Sequence, residues 1–233
     1  NLSTVDLRYQ QAEERLMRQT EKAATSDDEG SVTIERLREG AVAGEDPRLS
    51  VLFAIAGVFA TQQDLEAMLQ RSLSSLVETL EGVEAAVLLL YDPDDERLAV
   101  RAAHGYDFSK LRQVRLAVGE ATCGKTFETG QPRFYPTPRE LAKFSRSLTD
   151  EHAAAFREAL IGDRWPQSAV CMPFFAGDKE QGVMMLENLH QSHAFVRGDL
   201  PFLQAVVDLV GLAVENAHLR VQLEEARALD EAN

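Results

Sequence analysis

From residue 49 onward the apolar positions follow helical spacing first and strand spacing next. Leu49, Leu52, Phe53, Ile55, Ala56 and Phe59 form a broad apolar face at helical period. Thr61 or Asp64 can cap a second helix carrying Leu65, Met68, Leu69, Leu73, Leu76, Val77 and Leu80. The period then changes. Residues 85–91 are one continuous apolar run, stopped by Asp92-Pro93-Asp94-Asp95, and Leu98, Val100 and Ala102 alternate with Arg97, Ala99 and Arg101. Two antiparallel strands joined by a turn are expected there.

Further along, residues 111–118 read as a strand, and a glycine-bounded turn at 119–124 leads into a short helix stopped by Gly130-Gln131-Pro132. Arg133-Phe134-Tyr135 reads as a brief strand, 139–144 and 150–160 as helices, and 168–175 with 181–188 as a second hairpin. From Asp199 onward one long helix is expected. Helices, strands, a helical excursion, strands and a helix make an α+β domain with a mainly antiparallel sheet.

The flanks have a different character. Residues 1–24 lack Gly and Pro, and Val5, Tyr9, Ala12 and Leu16 keep the seam spacing of a coiled coil. Two heptads do not hold alone, so this linker helix needs a partner. Residues 25–47, with Asp27-Asp28-Glu29, Gly40, Gly44 and Pro47, read as an acidic linker. The compact domain is assigned to 48–218 and a helical extension to 219–233. In that last helix Leu203, Val207, Val210, Val214, Ala217 and Val221 make one seam, and Leu209, Leu212, Asn216, Leu219 and Leu223 make a second on another face. Leu209, Leu212, Leu219 and Leu223 are the candidates for a parallel homodimer contact.

Charge narrows the partners. The chain carries 38 acidic against 24 basic residues, a net −14, and phosphate-backbone binding needs a basic face. Direct nucleic-acid binding and an anionic membrane surface are therefore not expected. Cys123 and Cys171 cannot form a disulfide framework, and no leader or membrane-spanning apolar run is evident, so the cytoplasm is the expected compartment. The chain opens on Asn1 and stops within a helical pattern, as expected of a piece of a longer polypeptide.

One motif points to enzymatic chemistry. Gly119-Glu120-Ala121-Thr122-Cys123-Gly124-Lys125-Thr126 satisfies the phosphate-loop pattern, in which backbone amides cradle phosphates, lysine reaches the outer ones and threonine holds magnesium. Its context is wrong. Gly130-Gln131-Pro132 ends the following helix almost at once, and no parallel strand–helix alternation follows. A tight glycine turn is the expected role.

That turn fits a family. Leu65-Glu66-Ala67-Met68-Leu69, the strand from Ala85 to Asp92, Arg101-Ala102-Ala103-His104-Gly105, Val118-Gly119-Glu120 with Gly124, and Thr129-Gly130-Gln131-Pro132 occur in an order that resembles a GAF domain. Ser168-Ala169-Val170-Cys171-Met172-Pro173-Phe174, Gly182-Val183-Met184-Met185-Leu186-Glu187-Asn188 and the helix through Ala213-Val214-Glu215-Asn216-Ala217 continue the resemblance. It implies a six-stranded, mainly antiparallel sheet with helices on one face and a ligand pocket on the other, serving as a sensory module that controls an attached kinase, cyclase or transcription activator.

The implied pocket lies under the excursion, about 123–167. Its candidate lining is Cys123, Thr126, Phe134, Tyr135, Phe156, Trp165, Cys171 and Met184; aromatic walls with a few polar groups suit a small ligand and equally suit a core. No catalytic and no metal-ligating residues are assigned, and the cofactor is unknown. Chromophore-bearing relatives attach through a cysteine beside a histidine, which neither cysteine has, and free methionine-sulfoxide reductases use more cysteines than the two present. A heme would need an axial ring, for which His152 alone is suitably placed. A cyclic nucleotide could use the amides around residues 122–125. The alternatives to a sensor are a dimerisation module without ligand and a thiol-redox role for Cys123 and Cys171.

Overall fold

The computed structural model describes residues 47–61, 64–162 and 164–231; the readings for residues 1–46 lie outside them. Two helices, α1 (Pro47–Thr61) and α2 (Leu65–Thr79), open the fold. Asp64 caps α2, its carboxylate accepting the Ala67 N–H at 2.9 Å. The first hairpin follows as β1 (Ala85–Asp92) and β2 (Arg97–His104). In its turn Asp92 accepts from the Asp94 N–H and Asp95 from the Arg97 N–H, each at 3.1 Å.

The strand expected over 111–118 is shorter. Asp107 accepts the Ser109 N–H at 3.0 Å and starts one helical turn, α3 (Phe108–Leu111), so only β3 (Arg115–Ala117) remains extended. Leu111 and Val114 are buried instead as the loop's core contacts. Then come α4 (Ala121–Thr129), β4 (Arg133–Tyr135), α5 (Pro138–Ser145) and α6 (Asp150–Ala159). The second hairpin, β5 (Ser168–Ala176) and β6 (Lys179–Asn188), is followed by a 3-10 turn and α7 (Leu200–Glu231).

All six strands join one antiparallel sheet in the order β3-β2-β1-β6-β5-β4. The two hairpins meet through β1 and β6, where Val87 opposes Met185 and Leu88 opposes Met184. Both faces of these central strands are covered, which is why β1 reads as an unbroken apolar run. On one face Ala86, Leu88, Leu90, Met172, Phe174, Met184 and Leu186 pack under α1, α2 and α7. Full burial of each large side chain contributes about 1.5–3 kcal/mol. Gly211 allows α7 to lie against β5, because a Cβ there would fall 2.1 Å from the Phe175 carbonyl oxygen.

The opposite face presents Val87, Leu89, Val100, Ala169, Cys171, Val183 and Met185 to α3, α4, α5 and α6. The stripe of α7 formed by Leu203, Val207, Val210 and Val214 is buried on the sheet. Leu209 is half-buried and packs with this core, which removes it from the exposed face assigned to it, whereas Leu212, Leu219 and Leu223 are exposed. The segment Arg197–Glu224 is long and apolar enough to cross a bilayer by length and composition, and 44% of its apolar stretch is buried within the domain.

Candidate functional site

The glycine turn at 119–124 sets the site by placing α4 over the sheet. Gly119 sits at φ +84°, its N–H donates to the Gly124 carbonyl at 2.9 Å, and the Gly124 N–H returns to the Glu120 carbonyl at 2.8 Å. A Cβ on Gly124 would meet the Ala117 carbonyl oxygen at 2.5 Å, so the helix can start this close to β3 only with glycine. The Ala121 N–H is held by Ser147 Oγ at 2.7 Å, and Lys125 Nζ pairs with Glu128 at 2.6 Å. The Ala121 and Gly124 amides and the Lys125 ammonium, which a phosphate loop would turn toward phosphate, are thus engaged within the protein.

Glu120 ties the excursion to this turn. Its carboxylate accepts the Ala117 N–H at 2.9 Å, the Thr149 N–H at 3.3 Å and His152 Nδ1 at 2.7 Å. Burial opposes the charge, but these bonds outweigh it and hold the carboxyl below its ordinary range. In His152, the ring considered as an axial ligand, Nδ1 is engaged in this contact.

Under the excursion lies a compact group of polar and soft side chains. Cys171 on β5 and Cys123 on α4 are buried with Sγ atoms 3.9 Å apart. Met185 Sδ is 3.7 Å from Cys123 Sγ and accepts the Thr122 hydroxyl at 3.3 Å. Contact with Cys171 and burial push the Cys123 thiol well above its usual value. Thr126 and Tyr135 are also buried here, and neither hydroxyl completes a hydrogen bond. Burial dominates at Tyr135 and raises the phenol well above its ordinary value. Tyr135 packs edge-on against Phe144, and Phe156 edge-on against Tyr106.

Two further residues of this face, Glu187 and Tyr106, are not among the candidates read from the sequence. The Tyr106 hydroxyl donates to Glu187 Oε2 at 2.6 Å, and Glu187 is buried. Burial raises the Glu187 carboxyl to about 7 even though the Tyr106 bond works in the other direction. The signal that could have found it is an acid ending the apolar stretch 183–186.

The sequence candidates divide accordingly. Cys123, Thr126, Tyr135, Phe156 and Cys171 come together on the excursion face. Met184 does not: it points the other way, into the core beneath the long helices, because Met185 takes the excursion side. Phe134 packs with the helix-side core for the same reason. Trp165 is 52% exposed in the loop before β5, outside the buried group on the excursion face. Two open depressions lie elsewhere. One, of about 440 Å³, is bounded by Glu66, Arg101, Glu180 and His218; the other, of about 640 Å³, by Thr137, Arg139, Lys143 and His193. Among the described residues no group of three or more His, Cys, Asp or Glu side chains could hold a metal.

Residues 62–215, which include this glycine turn and all six strands, match a family model for the GAF domain. The chain belongs to the GAF domain family. GAF domains are regulatory and sensory modules. No curated protein matches the chain significantly. Solved structures similar to it include the GAF domain of an Acinetobacter phosphoenolpyruvate-protein phosphotransferase, at 17% identity and TM-score 0.62, covering 76% of this chain and 97% of that one. The GAF domain of the Coxiella burnetii phosphoenolpyruvate-protein phosphotransferase follows at 20% identity and TM-score 0.60, with 75% and 95% covered. A free methionine-R-sulfoxide reductase from Neisseria meningitidis, solved with its substrate, has 15% identity and TM-score 0.55, with 76% and 96% covered. At these identities the likeness is one of fold, and it includes enzymes as well as GAF domains of larger proteins.

Proposed function

We propose that this GAF domain is the regulatory sensor of a signalling protein, binding a small molecule under the excursion and transmitting through α7 to an attached effector. The carrying observation is the double stripe of α7. One stripe is buried against the sheet, while Leu212, Leu219, Val221 and Leu223 stand 51–58% exposed on the continuing helix. Leu212, Asn216, Leu219 and Leu223 keep coiled-coil spacing, and a lone Asn in such a seam fixes register between two parallel helices. A helix that is sheet cover at one end and dimer seam at the other couples the domain's interior to its partner. Ligand binding then acts by favouring one arrangement of the paired helices.

On this reading the module is a cytoplasmic homodimer without catalysis, and it binds neither nucleic acid nor membrane. The engaged amides and Lys125–Glu128 pair of the phosphate-loop lookalike support the absence of nucleotide hydrolysis. Light scattering during size exclusion tests the dimer: two chains per particle are expected, and a strict monomer at high concentration overturns it. Truncation after Asn216 should weaken association.

A second reading, dimerisation without a ligand, is favoured by the close filling of the excursion face with Cys123, Tyr135, Phe156 and Cys171. Native mass spectrometry separates the two. A small molecule retained by the purified chain supports the sensor, and a bare chain whose melting temperature no metabolite raises supports the second reading.

A further inference from the structure

We propose that Cys123, Cys171 and Met185 form a buried binding site for one soft, thiophilic cation, Cu(I). Two thiols and a thioether from three separate elements converge there. Cys123 comes from α4, and Cys171 and Met185 are directly opposed partners on β5 and β6 whose side chains share one face. The Cys123 Sγ lies 3.9 Å from Cys171 Sγ and 3.7 Å from Met185 Sδ.

Those separations decide between two fates for the cysteines. A trigonal ion with metal–sulfur distances of about 2.3 Å holds its sulfurs about 4.0 Å apart. The two separations at Cys123 match two sides of that triangle, and the third side joins Cys171 to Met185, which are directly opposed on neighbouring strands. A disulfide needs the same two sulfurs at about 2.05 Å, so α4 and β5 would have to close or both side chains rotate.

The donor set selects the metal. Thiolate and thioether sulfurs suit Cu(I), whereas Zn(II) in structural sites takes four ligands in a tetrahedron. The Thr122 hydroxyl beside Met185 Sδ is a hard oxygen donor that suits Cu(I) poorly, which leaves the three sulfurs as the donor set. Apolar neighbours such as Val87, Leu89 and Val183 keep water from competing for the ion. On binding, Cu(I) replaces the two thiol protons, which pass to solvent, and no electron is transferred. Entry requires the excursion to lift from α4, where Ser147 and Glu120 hold it. The site stands whether or not α7 carries an output, so its failure and that of the sensor reading are separate.

The whole chain, reduced and kept free of oxygen, is titrated with the Cu(I)–bicinchoninate complex. One equivalent should be withdrawn per chain, with a rise in melting temperature, and X-ray absorption should report sulfur scatterers at about 2.3 Å. Cys123→Ser and Cys171→Ser should each weaken binding about 100-fold or more, and Met185→Leu, which keeps apolar volume, about tenfold. Thermal melts of the metal-free variants show that they fold. Failure of the folded wild-type chain to withdraw Cu(I), or unchanged affinity in either cysteine variant, overturns the proposal. So does loss of two hydrogens from the chain without bound copper, which would make the pair a redox couple.

Discussion

His152 Nδ1 lies 2.7 Å from Glu120 Oε1, and this contact joins the amino-terminal turn of α6 to the glycine turn that begins α4. The same carboxylate holds the Ala117 and Thr149 amides, so one side chain fastens β3, α4 and α6 together. The excursion is therefore latched at the edge of the face that contains the cysteines.

Removing the latch should loosen the excursion before the sheet. Glu120→Ala leaves two backbone amides and a ring nitrogen without their acceptor, a loss of about 1–3 kcal/mol. Hydrogen exchange should rise in α5 and α6 while β1 and β6 stay protected. The pH dependence has a definite sign. The folded-state pKa of Glu120 is lowered, so its contribution is present above the unfolded value and is lost as pH falls through the folded one. Glu120→Gln should flatten the acid limb of a plot of stability against pH, and an unchanged limb would assign that limb to other carboxylates.

Glu187 gives the opposite sign. Its carboxyl is raised by burial to about 7 from an ordinary 4.5. Between those values the unfolded chain has released a proton that the folded one keeps, so stability falls as pH rises through that window. The full effect is about 3 kcal/mol. In the metal-free protein Glu187→Gln, still able to accept from Tyr106, should stabilise the fold at pH 7.5 and leave it little changed at pH 4. Denaturant melts at the two pH values measure it, and equal shifts at both would contradict it.

These two acids also mark the limit of what the sequence reveals. The order of elements is legible because helical and alternating periods are local. Which way each strand faces is not legible, because β1, β5 and β6 are buried on both sides and their apolar runs carry no alternation. Hence the sequence offers Met184 for the excursion face that Met185 occupies, and groups Phe134 with Tyr135 although they point to opposite sides. The approach of Cys123 to Cys171 across 48 positions rests on the crossover that lays α4 on β5 and β6, which spacing along the chain does not encode. Glu120 is visible only as part of a turn, since its bonds to Thr149 and His152 are long-range.

Gly211 should tolerate no side chain. A Cβ at 2.1 Å from the Phe175 carbonyl oxygen meets strand backbone that cannot swing aside, so Gly211→Ala must push α7 away from β5. Overpacking of this kind costs about 1–3 kcal/mol. A lower melting temperature is expected, together with faster exchange along α7. An Ala variant as stable as the parent would mean that α7 sits farther from the sheet.

The exposed seam of α7 is separable from the fold, which makes the dimer testable without truncation. Leu219 and Leu223 are 51% and 58% exposed and lie outside both cores, so charging them leaves the packed interior untouched. In a parallel pair the same positions would face their own copies, and acidic side chains placed there would be buried next to like charges. Leu219→Glu combined with Leu223→Glu should therefore convert the protein to a monomer in light scattering, with the far-ultraviolet spectrum of the domain retained. Leu212→Glu should act in the same direction, since it lies on the same seam nearer the sheet. If the double variant remains dimeric with unchanged affinity, the two copies meet through another surface, and α7 is sheet cover alone.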